Sequence, residues 1–171
     1  MEKALKILQE GDPVLRKKAV PVKDPKAPEI QKLIADMILT MKAANGIGLA
    51  APQVGRSLWL FTVNAAAIEG RASPNEIGRE NKIYVFINPE IKNFGDDKIP
   101  FEEGCLSVPK TWGPVVRPKK LTIKALDENG KPIKIRAKGL LARVIQHEMD
   151  HLNGTLFIDK AEKIYKIEEE K

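Results

Sequence analysis

Hydrophobic and polar positions recur with two different periods along the chain, and the changes of period mark its elements. Over residues 28–44, Ile30, Leu33, Ile34, Met37, Ile38 and Met41 recur at helical spacing behind Pro28, which suits the first helical position. This predicts one amphipathic helix ending at Asn45-Gly46, with Gly46 in the left-handed conformation that commonly follows a helix. Residues 57–63 and 83–88 are β-rich runs and read as strands. The stretch between them, residues 65–82, is long and polar, contains Gly70, Pro74 and Gly78, and reads as a surface loop.

Residues 121–137 alternate apolar and basic positions on either side of Glu128-Asn129-Gly130, which predicts a hairpin. A two-residue Asn-Gly loop would set Ile135 opposite Lys124 and mix apolar with charged residues on each face. A three-residue loop sets Ile123 opposite Ile135 and Lys124 opposite Lys134. A one-residue slip exchanges the faces of a strand, so the hydrophobic pattern selects the three-residue loop, with Gly130 left-handed in a bulge. Lys120, Lys124, Lys134, Arg136 and Lys138 then share the outer face.

Residues 140–152 carry Leu140, Leu141, Val144, Ile145, Met149 and Leu152 on more than one helical face. That predicts a helix buried near the centre of the fold, closed by Asn153-Gly154. Residues 160–169 read as a short charged C-terminal helix.

Composition narrows the class. The chain has 171 residues, 43% of them hydrophobic and 30% charged, which fits one globular domain over residues 1–171 and excludes a disordered or fibrous chain. No apolar run approaches the ~18–20 residues of a membrane span. The N-terminus lacks the long apolar stretch of a signal peptide. With a single cysteine, Cys105, no disulfide can form within the chain, which points to a reducing, cytoplasmic compartment. The net charge of +6 is uneven, because residues 110–143 hold ten Lys/Arg against two Asp/Glu. That block is either a solvated strand face or a surface that meets RNA or another polyanion.

The chain has only two histidines, and both lie in His147-Glu148-Met149-Asp150-His151. Four residues is little more than one helical turn, so both imidazoles project from one face and can hold one ion. Glu148 beside them can handle the proton of a metal-bound water. Cys105, in Glu103-Gly104-Cys105-Leu106-Ser107, is the obvious third ligand, since a thiolate suits zinc or ferrous iron. A lone cysteine is as often a small buried apolar residue, and spacing alone leaves both readings open. Two His and one Cys would leave a position for water, as catalytic sites do.

Gly46-Ile47-Gly48-Leu49-Ala50-Ala51-Pro52-Gln53-Val54-Gly55 is rich in small residues. It lacks the Lys-Ser/Thr end of a P-loop, which argues against nucleotide binding. Small residues admit the close approach of a substrate, and tight packing alone would also account for them. Gln53 offers an amide donor to a developing oxyanion.

Taken together, residues 46–53, 103–107 and 146–154 resemble, in order and spacing, the three motifs of the bacterial-type peptide deformylase family. The similarity runs from Ile7-Leu8 and Asp12-Pro13 through Phe157. It implies an α+β fold with antiparallel β-sheets surrounding a central metal-binding helix that carries H-E-x-x-H. It implies a hydrolase that removes the formyl group from the N-terminal formylmethionine of newly made proteins and releases formate. In that family's pattern Cys105, His147 and His151 bind one divalent metal ion, Fe(II) natively, with Zn, Ni or Co able to substitute. Glu148 is then the general base and later the general acid, and Gln53 and the Leu106 N–H face the oxyanion. Backbone groups of Ile47, Gly48 and Gly104 would pair with the peptide as an added strand. The methionine pocket maps to Ile47, Leu140, Arg143 and Val144, with only the stem of Arg143 lining it and the charged head reaching water. Trp112 could lie on the rim, although a core or surface Trp is the plainer reading, and Glu103 with Arg117 could brace the cysteine loop. The implied partners are formyl-Met nascent polypeptides and no membrane. A transient ribosome contact is expected through the basic hairpin face on the ground of this chain's own charge, since the C-terminal stretch that can serve in family members carries five acids against four lysines over residues 159–171. Two other readings are an H-E-x-x-H endopeptidase and a non-catalytic, metal-stabilised RNA-binding module.

Overall fold

The computed structural model describes residues 1–69 and 82–168. Its helices are α1 (Pro28–Ala43), α2 (Ala65–Glu69) and α3 (Gly139–Leu152). The strands are β1 (Gly48–Ala50), β2 (Leu60–Asn64), β3 (Ile83–Phe94), β4 (Lys98–Cys105), β5 (Val108–Pro118), β6 (Lys120–Leu126), β7 (Pro132–Lys138) and β8 (Tyr165–Lys166). They form two antiparallel sheets, one ordered β1-β2-β3-β6-β7 and the other β4-β5-β8.

The strand period of two explains how the first sheet is covered. Phe61, Val63 and Phe86 point to one face and pack with Leu141, Ala142, Val144, Ile145 and Leu152 of α3. Leu60, Val85 and Ile87 point to the other face and pack with Ile30, Leu33, Ile34, Met37 and Met41 of α1. Each fully buried Leu, Ile or Phe contributes about 1.5–3 kcal/mol, so two helices on one sheet make a substantial core. Helix α3 also meets β5 of the second sheet.

The β6–β7 register is the one the hydrophobic pattern selects. Ile123 faces Ile135, Lys124 faces Lys134, and Gly130 has a φ of +74° in the three-residue loop. The five basic residues of the outer face are all exposed. No helix of the described residues is long and apolar enough to cross a membrane.

Several boundaries differ from the sequence reading. After α1 it is Asn45, not Gly46, that adopts a positive φ, at +53°. Asn tolerates that region because its side chain is short and polar. Gly46 is small for another reason, since a Cβ there would lie 2.9 Å from Leu106 Cδ1. Strand β2 begins at Leu60 rather than at residue 57, and β3 runs six residues past Asn88. Asn88 at φ +51° and the donor-less Pro89 both signal a strand end, but a β-bulge between Ile87 and Glu90 absorbs them. The residues expected to be a surface loop begin as α2, with Ala65 and Ile68 buried, and residues 70–81 of that loop lie outside the described residues. The expected helix over residues 160–169 does not form in the described part. There the chain is extended, and Tyr165 and Lys166 pair with Trp112 and Thr111 as β8.

Candidate active site

Three segments far apart in sequence meet at the C-terminal half of α3. His147 and His151 lie one turn apart on it, their ring centroids separated by 5.1 Å. Cys105 ends β4 and pairs with Val108 across a two-residue turn, Leu106-Ser107. The ladder shifts here, because Glu103 faces Gly113 while Cys105 faces Val108. Bulges beside functional sites re-aim side chains, and this one turns Cys105 toward the histidines. The possible ligand atoms of Cys105, His147 and His151 all lie within 4.8 Å of one another, and Cys105 Sγ is 3.3 Å from His151 Nε2.

The surroundings fit a cation. His147 Nδ1 lies 2.9 Å from Glu103 Oε1, which leaves its Nε2 for the site. The Ser107 N–H donates to Cys105 Sγ at 3.4 Å. Burial and the neighbouring positive His147 hold the His151 imidazole well below its ordinary value, in the neutral form that ligates. Burial also disfavours charge on His147, but hydrogen bonds to Cys105 and Glu103 outweigh it and raise that imidazole well above its ordinary value. Positive charge on His147 is thus favoured beside the Cys105 sulfur and the Glu103 and Glu148 carboxyls, and a divalent ion would meet the same need. Glu148 Oε2 and His151 Nδ1 are buried with no hydrogen-bond partner among the described residues.

Glu148 is 3% exposed, and burial pushes its carboxyl up to about 7, against the attraction of His147 and with repulsion from Glu103. Such a value suits a group that both takes and returns a proton near neutral pH. The backbone of β1 passes close by, and a Cβ on Gly48 would stand 2.6 Å from Glu148 Oε1. Gln53 is 1% exposed and held at both ends of its amide. Its Oε1 accepts from the Ala50 N–H at 2.9 Å, and its Nε2 donates to Ser107 Oγ at 3.1 Å and faces Cys105 Sγ at 3.7 Å.

Glu103 is a hub. It accepts from Arg117 Nε and Arg143 Nη1, both at 2.6 Å, and from Arg117 Nη2 at 3.0 Å. Burial raises its pKa, yet the His147 and Arg117 hydrogen bonds dominate and hold the carboxyl well below the usual carboxylate range. The expected Glu103–Arg117 pair is therefore present. The expectation for Arg143 is corrected. Its head does not reach water but is buried, donating to Glu103, to the Val115 carbonyl at 2.9 Å and to the Ile99 carbonyl at 2.8 Å. Three acceptors supplied by the second sheet outweigh hydration of an exposed head. Ile47, Leu140 and Val144 do share one apolar cluster. Trp112 is half-exposed and lies on Gly104, where a Cβ would be 3.0 Å from the ring.

Sequence reasoning missed Ser107, which is fully buried between Gln53 and the cysteine turn, and Asp150, which pairs with Arg117 at 2.9 Å. Ser107 carried no signal beyond its adjacency to the cysteine motif. Phe101, with the Arg143 guanidinium 5.5 Å from its ring centre, was likewise silent.

Residues 4–166 match the sequence profile of the polypeptide deformylase family. The chain belongs to that family. It is 50% identical over 155 residues to the peptide deformylase of Psychrobacter cryohalolentis, covering 91% of this chain and 78% of the relative. Among solved structures it is similar to the peptide deformylase of Synechococcus elongatus in complex with actinonin, with TM-score 0.80, 42% identity, and coverage of 93% of this chain and 79% of that one. It is similar also to a Met-Ala-Ser-bound class I type b peptide deformylase of Acinetobacter baumannii, with TM-score 0.83, 35% identity, and coverage of 94% and 99%. As a peptide deformylase, this chain is a metal-dependent hydrolase that removes the N-terminal formyl group from nascent polypeptides. The endopeptidase and RNA-module readings are not favoured.

Proposed function

We propose that Cys105, His147 and His151 hold the metal of this deformylase, with Fe(II) as the native ion and Zn, Ni or Co as substitutes. The observation that carries the assignment is the convergence of these three donors within 4.8 Å, next to Glu148, whose buried Oε2 has no hydrogen-bond partner among the described residues. When bound, such an ion supplies Lewis acidity, acidifying a water toward a pKa of about 7 and polarising a carbonyl.

The chain's own residues do the rest. Gln53 Nε2 and the Leu106 N–H donate to the formyl oxygen as it gains negative charge. Glu148 takes the proton of the attacking water and delivers it to the departing amine, after which formate leaves. The backbones of Ile47, Gly48 and Gly104 align the peptide as an added strand. Ile47, Leu140 and Val144 receive the methionine side chain, and Arg143 closes the wall behind them through its buried stem. A class I type b peptide deformylase of Acinetobacter baumannii has been solved with Met-Ala-Ser bound, a peptide that begins with the methionine this reading calls for.

The chain works in this reading as a single domain over residues 1–171 in the cytoplasm. It meets ribosomal RNA transiently through Lys120, Lys124, Lys134, Arg136 and Lys138. Two directly opposed Lys pairs, Lys120 with Lys138 and Lys124 with Lys134, support that contact. Like charges opposite one another on a sheet are destabilising, and a polyanion relieves them. The deciding experiment purifies the protein anaerobically, measures its metal content, and follows formate release from formyl-Met-Ala. Absence of formate release from metal-replete protein overturns the assignment.

A further inference from the structure

The segment before α1 has no strand of its own beyond one isolated bridge, yet its N–H groups are paired in a regular way. The Lys3 N–H donates to Asp36 Oδ1 and the Leu5 N–H to Thr40 Oγ1, both at 2.8 Å. Asp36 and Thr40 are buried polar residues, one turn apart on the otherwise apolar inner face of α1. Further along, the Leu8 N–H donates to the Gln53 carbonyl and the Glu10 N–H to the Ser107 carbonyl, each at 2.8 Å. Beyond the turn at Pro13–Arg16, the Ala19 N–H donates to the Leu152 carbonyl at 2.8 Å. The acceptors are Gln53 itself, the second residue after Cys105, and the residue next to His151.

We infer that this N-terminal arm is a positioning element of the active site, setting the spacing between the Gln53 loop and the Cys105 turn. The inference rests on the roles given above to Gln53 and Cys105. Leu8 and Glu10, two residues apart on one short segment, thus tie together two loops, neither of which continues the other's strand. The loops meet a second time through the Gln53 Nε2 to Ser107 Oγ bond. Gln53 and Ser107 are thus each anchored through both backbone and side chain. Asp36 and Thr40 fasten the arm to α1, so the ruler has a fixed end. Small misplacements at a reacting centre cost up to about 10²-fold in rate, which is the scale on which such a ruler acts.

The test replaces the amide of Leu8, and separately that of Glu10, by an ester, which deletes the N–H and keeps the side chain. Leu8→Ala and Glu10→Ala keep the N–H and serve as references. Nickel-loaded proteins are compared for kcat and KM on formyl-Met-Ala, for Tm, and for the rate of Ni2+ release to a chelator. The Leu8 ester lowers kcat at least severalfold with KM little changed, and the Glu10 ester speeds Ni2+ release. The alanine variants stay near wild type in both. Glu10→Pro, made by ordinary mutagenesis, reproduces the faster release. Wild-type kcat and Ni2+ release in both ester proteins overturn the inference, as does a loss of kcat that only tracks unfolding at the assay temperature. If wild-type protein released no formate, the deformylase assignment would fail, while Ni2+ release would still report on the arm.

Discussion

The Nδ1 of His147 sits 2.9 Å from the Glu103 carboxylate, and that one contact ties a candidate metal ligand to two buried guanidiniums. A carboxylate behind a ligating histidine fixes its tautomer and raises its basicity, and losing such a partner typically costs about 10–100-fold in metal affinity. Glu103→Gln should therefore weaken metal binding by roughly that factor, read by competition with a chelator, while Cys105 and His151 stay in place.

The same variant carries a pH signature. The folded pKa of Glu103 is depressed, so its stabilising contribution is complete above the ordinary carboxylate value of about 4.3 and is lost as pH falls through the lower folded value. The gap in Tm between wild type and Glu103→Gln, measured on metal-free proteins, should narrow on acidification. A gap independent of pH would show that Glu103 is not ionised in the fold.

Glu148→Ala should keep the metal and lose turnover by about 10²–10⁴, the range for a positioned proton carrier. Gly48→Ala probes the same group from outside, because its new Cβ would contact Glu148 Oε1 at 2.6 Å and force the carboxylate aside. It should lower kcat with metal content unchanged. Metal analysis beside steady-state kinetics separates both variants from ligand loss, and near-full activity in either removes the role.

Formyl-Met-Ala should be hydrolysed and acetyl-Met-Ala left nearly untouched. In the proposed site the acetyl methyl would crowd the Gln53 amide and the Leu106 N–H, and overpacking alone costs about 1–3 kcal/mol. Formyl-Ala-Ala should react with reduced kcat/KM, since burying a methionine side chain contributes roughly 1.5–3 kcal/mol. The three kcat/KM values on one metal form decide this, and comparable formyl and acetyl rates would contradict the assigned chemistry.

Reversing the charge of Lys124, Lys134 and Arg136 should weaken co-sedimentation with ribosomes at low salt and leave formate release from short peptides unaltered. Binding that survives the reversal would make the basic hairpin a solvated face.

The sequence by itself determined whatever depends on neighbours in the chain. The periods of α1 and α3, the pairing of Ile123 with Ile135 across a three-residue loop, and the spacing of His147 and His151 all rest on local geometry that residue type controls. The three motifs were legible for the same reason, each being a short run with its own chemistry. Only the tertiary structure decided the long-range partnerships. The Arg143 guanidinium is drawn inward by Glu103, forty positions earlier, and by carbonyls of β4 and β5. The charged C-terminal stretch becomes β8 because β5 has a second edge, on which Thr111 and Trp112 pair with Lys166 and Tyr165. The arm's N–H groups find Gln53 and Ser107 because folding brings three segments to one end of α3. A buried charge or an unpaired amide must be satisfied by whatever the fold places beside it. That partner is set by the packing of sheets and helices, which a local pattern does not encode.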